Sequence, residues 1–174
     1  IYNDDYPRHD PGFGGGRASG WAECFAGWFE QWRHSVTILD YGSGEGHFES
    51  ALTNQGFRNV ASWDPFTQDR LLDGRFDILF ANEVFEHVAD PKGLFKELDS
   101  LCSNTGMVLF TTLMCSEEVI SNGIANWWYC APRNGHISFF TRPSLSLLAL
   151  RFNFTYSQLG PQFYMLARVP ANDT

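Results

Sequence analysis

Short apolar runs alternate with amphipathic runs along most of the chain. Buried strands are predicted at 36–40, 59–63, 76–81 and 106–113, and helices are predicted at 48–55, 90–101 and 142–150. Two more strand patterns follow at 152–157 and 163–169, separated by Gly160 and Pro161. Alternating strands and helices predict an α/β fold, a mostly parallel sheet with helices on both faces. The short last connection predicts an antiparallel hairpin at the C-terminal end.

An aromatic amphipathic helix is predicted ahead of this alternation, from about residue 18 to residue 34. Its apolar stripe consists of Trp21, Cys24, Phe25, Trp28, Phe29 and Trp32. We therefore divide the chain into an N-terminal lid or cap, residues 1–35, and a main domain, residues 36–170. Contact between two copies of the chain, a homodimer, is an alternative role for the tryptophan face.

Charge and composition exclude two classes of partner. Lys and Arg number 12 against 20 Asp and Glu, for a net charge of -8, and the basic residues are not clustered. Nucleic-acid binding needs clustered basic groups, so no nucleic-acid partner is expected. No apolar run approaches the roughly 20 residues that span a bilayer, so no membrane segment is expected. The four cysteines form no C-x-x-C pair and predict buried free thiols in a reducing cytoplasm.

A glycine loop between the first strand and the next helix is the sharpest chemical signal. Asp40 precedes Gly42, Gly44 and Gly46, and this spacing allows positive φ angles and close approach of a ligand to the backbone. The following helix adds free N–H groups at its first turn. Asp64 follows the second strand, where an acid can accept hydrogen bonds from ribose hydroxyls.

Other interpretations of this loop are open. A dinucleotide site needs the pattern G-x-G-x-x-G, in which position 47 is glycine or alanine, but the chain has His47 there. A nicotinamide-dependent oxidoreductase is therefore disfavoured. The acids beside the loop favour a positively charged ligand over a pyrophosphate. A tight turn without any ligand is the remaining alternative.

Together with the segment 76–88, which reads FDILFANEVFEHV, this loop resembles the class I S-adenosylmethionine-dependent methyltransferases. The resemblance is to their small-molecule branch, which includes ubiquinone-biosynthesis-type enzymes, and it covers residues 36–170. It implies a Rossmann-like sheet and S-adenosyl-L-methionine as cofactor.

The resemblance also implies roles for individual residues. The methionine end of the cofactor would be held by Asp40, Tyr41, Gly42, Ser43, Gly44 and Gly46. Asp64 would bind the ribose, and Pro65 and Phe66 would lie against the adenine. Asn82 and Glu83 would line the methionine and methyl-acceptor side.

One connection is shorter than the family's usual one. Only 11 residues separate Asp64 from Phe76, where the family normally has a helix, a strand and another helix. We therefore expect a sheet shortened between strands 2 and 4 of the family order. Asp69 and Asp73 are either replacements for the missing adenine contact or solvated loop acids.

A long aromatic insert, residues 116–140, follows the strand at 106–113. Its W-W-Y and H-I-S-F-F segments resemble the acceptor region of the same methyltransferases, which implies Trp127, Trp128 and Tyr129 as substrate residues. His136 is the first candidate for a general base and His87 the second, with packing or helix capping as their alternatives. The remaining histidines show no metal-ligand spacing, so no metal site is expected.

The expected function is that of a cytoplasmic enzyme that methylates an oxygen or nitrogen of a small molecule. A non-catalytic S-adenosylmethionine-binding partner subunit or sensor is the alternative, because it would need the glycine loop but no acceptor pocket.

Overall fold

A computed structural model describes residues 16–67 and 73–169 of the chain. Six strands are present in these residues: β1 (Thr37–Tyr41), β2 (Asn59–Trp63), β3 (Phe76–Asn82), β4 (Cys102–Thr111), β5 (Phe154–Gln158) and β6 (Phe163–Arg168). The helices are α1 (Gly16–Trp28), α2 (His47–Asn54), α3 (Pro91–Leu101), α4 (Glu117–Ser121) and α5 (Arg142–Arg151). Short 3-10 turns lie at 30–32, 85–87, 124–126 and 132–134.

The strands form one sheet in the order β2-β1-β3-β4-β6-β5. Pairing is parallel from β2 through β4 and antiparallel at β4–β6 and β6–β5. The mostly parallel Rossmann-like α/β fold and the C-terminal hairpin are thus confirmed. The strand order reverses between β1 and β3, and such a switch point is where open α/β sheets bind ligands.

Helices cover both faces of the sheet because successive strand residues point to opposite sides. On one face, Phe25 of α1 and Phe48 of α2 pack with Ile38 and Phe80. On the other face, α3 and α5 pack on Leu39 and Phe110. Burial of these rings and aliphatic side chains removes apolar surface from water and holds the layers together.

The buried face of α1 is narrower than the predicted stripe. Phe25 is fully buried, but Cys24 is exposed, and Trp28 and Trp32 remain 47% and 48% exposed. Cys24 is turned roughly 100° around the helix from Phe25, because a helix has about 3.6 residues per turn. The expectation that all four thiols are buried is therefore wrong for Cys24, and Cys130 is only half-buried.

The predicted lid is described only in part. Residues 1–15 lie outside the described residues, and α1, which follows them, packs against α2 and the sheet. The division at residue 35 stays a prediction. No helix among the described residues is long and apolar enough to span a bilayer.

Candidate active site

The glycine loop connects the end of β1 to the start of α2. Gly42, Gly44 and Gly46 all have positive φ, at 75°, 54° and 73°, and Gly46 is the N-cap of α2. A Cβ on Gly42 would lie 2.6 Å from Cγ2 of Val84, whereas a Cβ on Gly44 would meet no atom within 4 Å. The loop is therefore packed at Gly42 and open at Gly44, where a ligand has space to approach the backbone.

Asp64 braces this loop from the end of β2. Its Oδ2 accepts a hydrogen bond from the Gly44 N–H at 2.9 Å, and its Oδ1 accepts one from the Phe66 N–H at 2.8 Å. The N–H groups of Gly42 and Ser43 donate to the carbonyl of Trp63. Each Asp64 oxygen retains a lone pair, which leaves the carboxylate able to accept from a bound hydroxyl.

A cavity of about 560 Å³ opens at the carboxyl ends of β1, β2 and β3. This volume lies within the range of roughly 300–1,000 Å³ that is typical of small-molecule sites. Arg17, Ala18 and Trp21 of α1 form one of its walls, so the helix preceding the main domain helps to enclose it. The glycine loop is not filled by its own side chains.

Asp40 presents a buried carboxylate to this cavity. Its side chain is 4% exposed, and Oδ2 has no hydrogen-bond partner among the described residues. Burial raises the pKa of Asp40 to about 7; the neighbouring Glu49 and Asp64 carboxylates also raise it, while a backbone hydrogen bond from Glu49 lowers it. A cationic ligand would stabilise the charged form and occupy the free oxygen.

The end of β3 is held in an unusual conformation. Glu83 has φ of 53°, which is rare for a residue other than glycine, and its N–H donates to Thr111 Oγ1 at 2.9 Å. The Thr111 hydroxyl donates in turn to Asn82 Oδ1 at 2.9 Å. Thr111 thereby orients both residues, and such strain is commonly found at functional sites.

Eleven of the predicted site residues line the cavity: Asp40, Tyr41, Gly42, Ser43, Gly44, Asp64, Pro65, Phe66, Asn82, Glu83 and His87. Five do not: Gly46, Trp127, Trp128, Tyr129 and His136. Phe66 is 77% exposed, so it stands at the rim. The wall residue Arg17 was not predicted because no motif marks it, and Val84 lies in the segment 76–88 but was given no site role.

Residues of the aromatic insert form hydrogen bonds to Glu86, which is fully buried. Tyr129 Oη donates to Glu86 Oε1 at 2.6 Å, and Thr112 Oγ1 donates to Oε2 at 3.0 Å. The carbonyl of Glu86 also accepts from the N–H groups of Ile137 and Ser138. Burial raises the pKa of Glu86 to about 8, with a further contribution from the Glu83 charge, while hydrogen bonds from Tyr129 and Thr112 act to lower it.

These contacts bring the two candidate bases together. The rings of His87 and His136 lie 4.9 Å apart between centroids, in an edge-to-face arrangement. His136 Nδ1 lies 2.9 Å from the carbonyl oxygen of Tyr129. His87 faces the cavity and His136 lies beside it on the side of the insert.

The residues fit the cofactor that the sequence resemblance implies. The sulfonium and ammonium groups of S-adenosylmethionine match the unpartnered buried oxygen of Asp40. Its ribose hydroxyls match Asp64, and the open space at Gly44 allows the close approach. Fold and site together define a class I S-adenosylmethionine-dependent methyltransferase.

Comparison with known proteins shows the family to which the chain belongs. The profile of a family described as a methyltransferase domain matches residues 17–159, so the chain belongs to that family. None of the curated proteins compared with the chain matches it.

Solved structures share the fold at low sequence identity. Magnesium protoporphyrin IX methyltransferase from Synechocystis PCC 6803, solved with bound S-adenosylhomocysteine, is 10% identical with a TM-score of 0.56; the match covers 87% of this chain and 83% of that one. An O-methyltransferase family protein from Burkholderia thailandensis is 9% identical with a TM-score of 0.57, covering 89% and 60%. The YcgJ protein from Bacillus subtilis is 16% identical with a TM-score of 0.57, covering 84% and 70%.

Proposed function

We propose that the protein methylates an oxygen or nitrogen atom of a small molecule. The observation that carries this proposal is a single cavity that extends from the glycine loop to His87. A cofactor bound at the loop and an acceptor near His87 would thus share one enclosed space. The net charge of -8 and the absence of clustered basic residues in the sequence argue against a nucleic-acid acceptor.

The cofactor side consists of residues with complementary charge and hydrogen-bonding groups. S-adenosylmethionine supplies an activated methyl group on a positively charged sulfur. Asp40 neutralises positive charge at the methionine end, and Asp64 accepts hydrogen bonds from the ribose. Asn82 and Glu83, oriented through Thr111, direct the methionine and acceptor groups. Pro65 and Phe66 cover the adenine at the rim.

The acceptor side lies between His87 and the aromatic insert. An imidazole can take a proton from an acceptor hydroxyl or ammonium group, and His87 faces the cavity while His136 lies beside it. Trp127, Trp128 and Tyr129 are assigned to the same side, with Tyr129 as the buried anchor. Alignment of acceptor and methyl group can lower the barrier by ~7–11 kcal/mol when the geometry is good.

The named relatives support a small acceptor. The Synechocystis enzyme is named for magnesium protoporphyrin IX, and the Burkholderia protein is described as an O-methyltransferase family protein. A planar, apolar acceptor would suit an insert that contains three consecutive aromatic residues at 127–129.

The cellular setting is also a proposal. All four cysteines are free, as expected for a chain in the reducing cytoplasm. A homodimer through the exposed Trp28 and Trp32, and an N-terminal lid formed by residues 1–35, are further proposals. Sedimentation measurements on the full chain would test the dimer.

Calorimetry and turnover measurements test the proposed function in two steps. We expect S-adenosylhomocysteine to bind and NAD to bind more weakly or not at all; absence of S-adenosylhomocysteine binding by a folded chain would overturn the proposal. A panel of small hydroxyl and amine compounds is then screened for release of S-adenosylhomocysteine from S-adenosylmethionine. We expect the His87→Gln variant to retain cofactor binding and to lose turnover, with Glu118→Ala on the exposed α4 as the matched control. Binding without turnover on any compound would favour the non-catalytic alternative.

A further inference from the structure

Three side chains with metal-ligating atoms meet beside the cofactor cavity. One ligand atom each from Glu86, His87 and His136 lies within 4.8 Å of the other two. Glu86 and His87 are adjacent in the chain, whereas His136 comes from the aromatic insert. Two imidazoles and one carboxylate are a common ligand set for divalent transition metals, and three protein ligands leave a coordination position open.

The tautomer of His136 is suited to ligation. Its Nδ1 lies 2.9 Å from the Tyr129 carbonyl oxygen, which accepts hydrogen bonds and cannot donate one. Nδ1 must therefore carry the proton, and in the neutral ring Nε2 has the free lone pair. A carbonyl that receives the second ring N–H is the outer partner that metal-bound histidines usually have.

The Glu86 carboxylate is also held in place by hydrogen bonds from neighbouring groups. Tyr129 and Thr112 each donate one hydrogen bond to a different oxygen of its carboxylate, at 2.6 Å and 3.0 Å. Each oxygen accepts one bond and keeps a second lone pair. The side chain is fully buried, so these two hydroxyl donors fix its position.

The surroundings favour a cation and provide a path to it. Glu83 lies close enough that its charge acts on Glu86, so its carboxylate adds negative potential beside the cluster. His87 lines the cavity, which is open to solvent, and it connects the cluster to that space. Glu86 and His136 do not line the cavity, so an ion entering there would reach His87 first.

We propose that Glu86, His87 and His136 bind one divalent transition-metal cation of the Zn²⁺ or Mn²⁺ type. With the ion bound, the two imidazoles serve as ligands, so neither is then available as the general base. The nitrogen ligands select such ions over Mg²⁺, which prefers oxygen ligands alone. The cation would lie at the acceptor end of the cavity and would favour acceptors that carry a ligating oxygen, such as a hydroxyl or carboxylate. This consequence for the substrate class rests on the proposed function, whereas binding of the ion does not.

Metal titration of the full chain tests the site. The protein is stripped with a chelator and titrated by calorimetry with ZnCl₂, MnCl₂ and MgCl₂, and CoCl₂ is followed by visible absorption. We expect one Zn²⁺ per chain, a cobalt spectrum with nitrogen ligation, and much weaker binding of Mg²⁺. Glu86→Gln, His87→Gln and His136→Ala should each weaken Zn²⁺ binding by at least about tenfold.

Two control variants and one second ligand separate the outcomes. His34→Ala and Cys24→Ser each remove an exposed side chain of a type that can ligate zinc but lies outside the proposed site. We expect both variants to bind Zn²⁺ like the wild type. His136→Ala is the decisive variant because His136 does not line the cofactor cavity, and S-adenosylhomocysteine affinity with circular dichroism checks that it is folded. Absence of ion binding by the wild type, unchanged binding in all three ligand variants, or loss only in Cys24→Ser would overturn the site. Absence of S-adenosylhomocysteine binding would instead overturn the proposed function.

Discussion

The Asp64 carboxylate accepts a hydrogen bond from the backbone N–H of Gly44 at 2.9 Å, across a separation of 20 residues in sequence. This bond joins the end of β2 to the loop after β1, so one side chain shapes two walls of the cavity. The same carboxylate accepts from Phe66 N–H, which positions the rim. Asp64 therefore has a structural and a ligand-binding role at one place.

Replacement of Asp64 should weaken cofactor binding more than it weakens the fold. We expect Asp64→Ala to lower S-adenosylhomocysteine affinity by at least about tenfold, since hydrogen bonds to charged groups contribute roughly 1.5–3 kcal/mol. Asp64→Asn should lose less of this affinity because the amide oxygen still accepts one hydrogen bond. Calorimetry measures the affinity, and Glu118→Ala serves as the exposed acidic control. Unchanged affinity in Asp64→Ala would remove Asp64 from the site.

Two glycines of the same loop should respond differently to alanine. Gly42→Ala should destabilise the protein by ~1–3 kcal/mol beyond the cost of its positive φ, because the new Cβ would lie 2.6 Å from Val84. Gly44→Ala meets open space, so it should cost only the backbone strain, about 1–2 kcal/mol. Urea unfolding measures both variants, and Val84→Ala in the Gly42→Ala background should relieve the clash. Equal losses in the two single variants would contradict this difference.

The buried carboxyl of Asp40 should make stability depend on pH. Its pKa is about 7 when folded and near 3.8 when unfolded, so the folded state binds the proton more tightly. The contribution of Asp40 to stability is therefore full below pH 4 and is lost as the pH rises through 7. Asp40→Asn removes this dependence, so the wild type should lose at least about 1 kcal/mol more than the variant between pH 5 and pH 8.

Urea unfolding of both chains at these two pH values measures the effect. Other carboxyl groups titrate in both proteins, so the difference between them isolates Asp40. Identical pH profiles would show that Asp40 is ionised in the folded protein throughout this range.

Arg168 of β6 should be a major contributor to stability. It forms an ion pair with Asp99, donates to the carbonyls of Cys102 and Ser103, and lies 4.4 Å from the centre of the Phe154 ring. Arg168→Met should cost ~2–4 kcal/mol because it removes the partner of Asp99 and several donors to part-buried carbonyls at once. Arg33→Met removes an exposed ion pair with Glu30 and should cost less than about 0.5 kcal/mol. Thermal or urea unfolding measures the stability of both variants, and comparable losses of stability in Arg168→Met and Arg33→Met would contradict this assignment.

The strands and the glycine loop were predictable because their signals are local. The apolar segment at 76–81 became β3, and the turn residues at 160–161 connect the two antiparallel strands. The short connection after Asp64 correctly indicated a reduced sheet, and β2 is its outer strand among the described residues. Each of these predictions depended on residues that are close in sequence.

Helix α1 was less predictable. Periodicity identified the apolar stripe but did not indicate how much of it the protein covers. The helix ends at Trp28, so Trp32 falls on a separate turn, and only a narrow face around Phe25 contacts the core. The extent of burial depends on the width of the opposing surface, which the α1 sequence does not contain.

The sequence by itself determined the parallel sheet and the acids and glycines at its carboxyl edge, because strand periodicity and glycine spacing act over a few residues. Only the tertiary structure decided that Asp40 is buried with a free oxygen and that Glu86, His87 and His136 meet. His136 reaches Glu86 across 50 residues because Ile137 and Ser138 donate to the Glu86 carbonyl. Such long-range contacts depend on the path of the whole insert, since each contact forms only when two distant segments are already packed together.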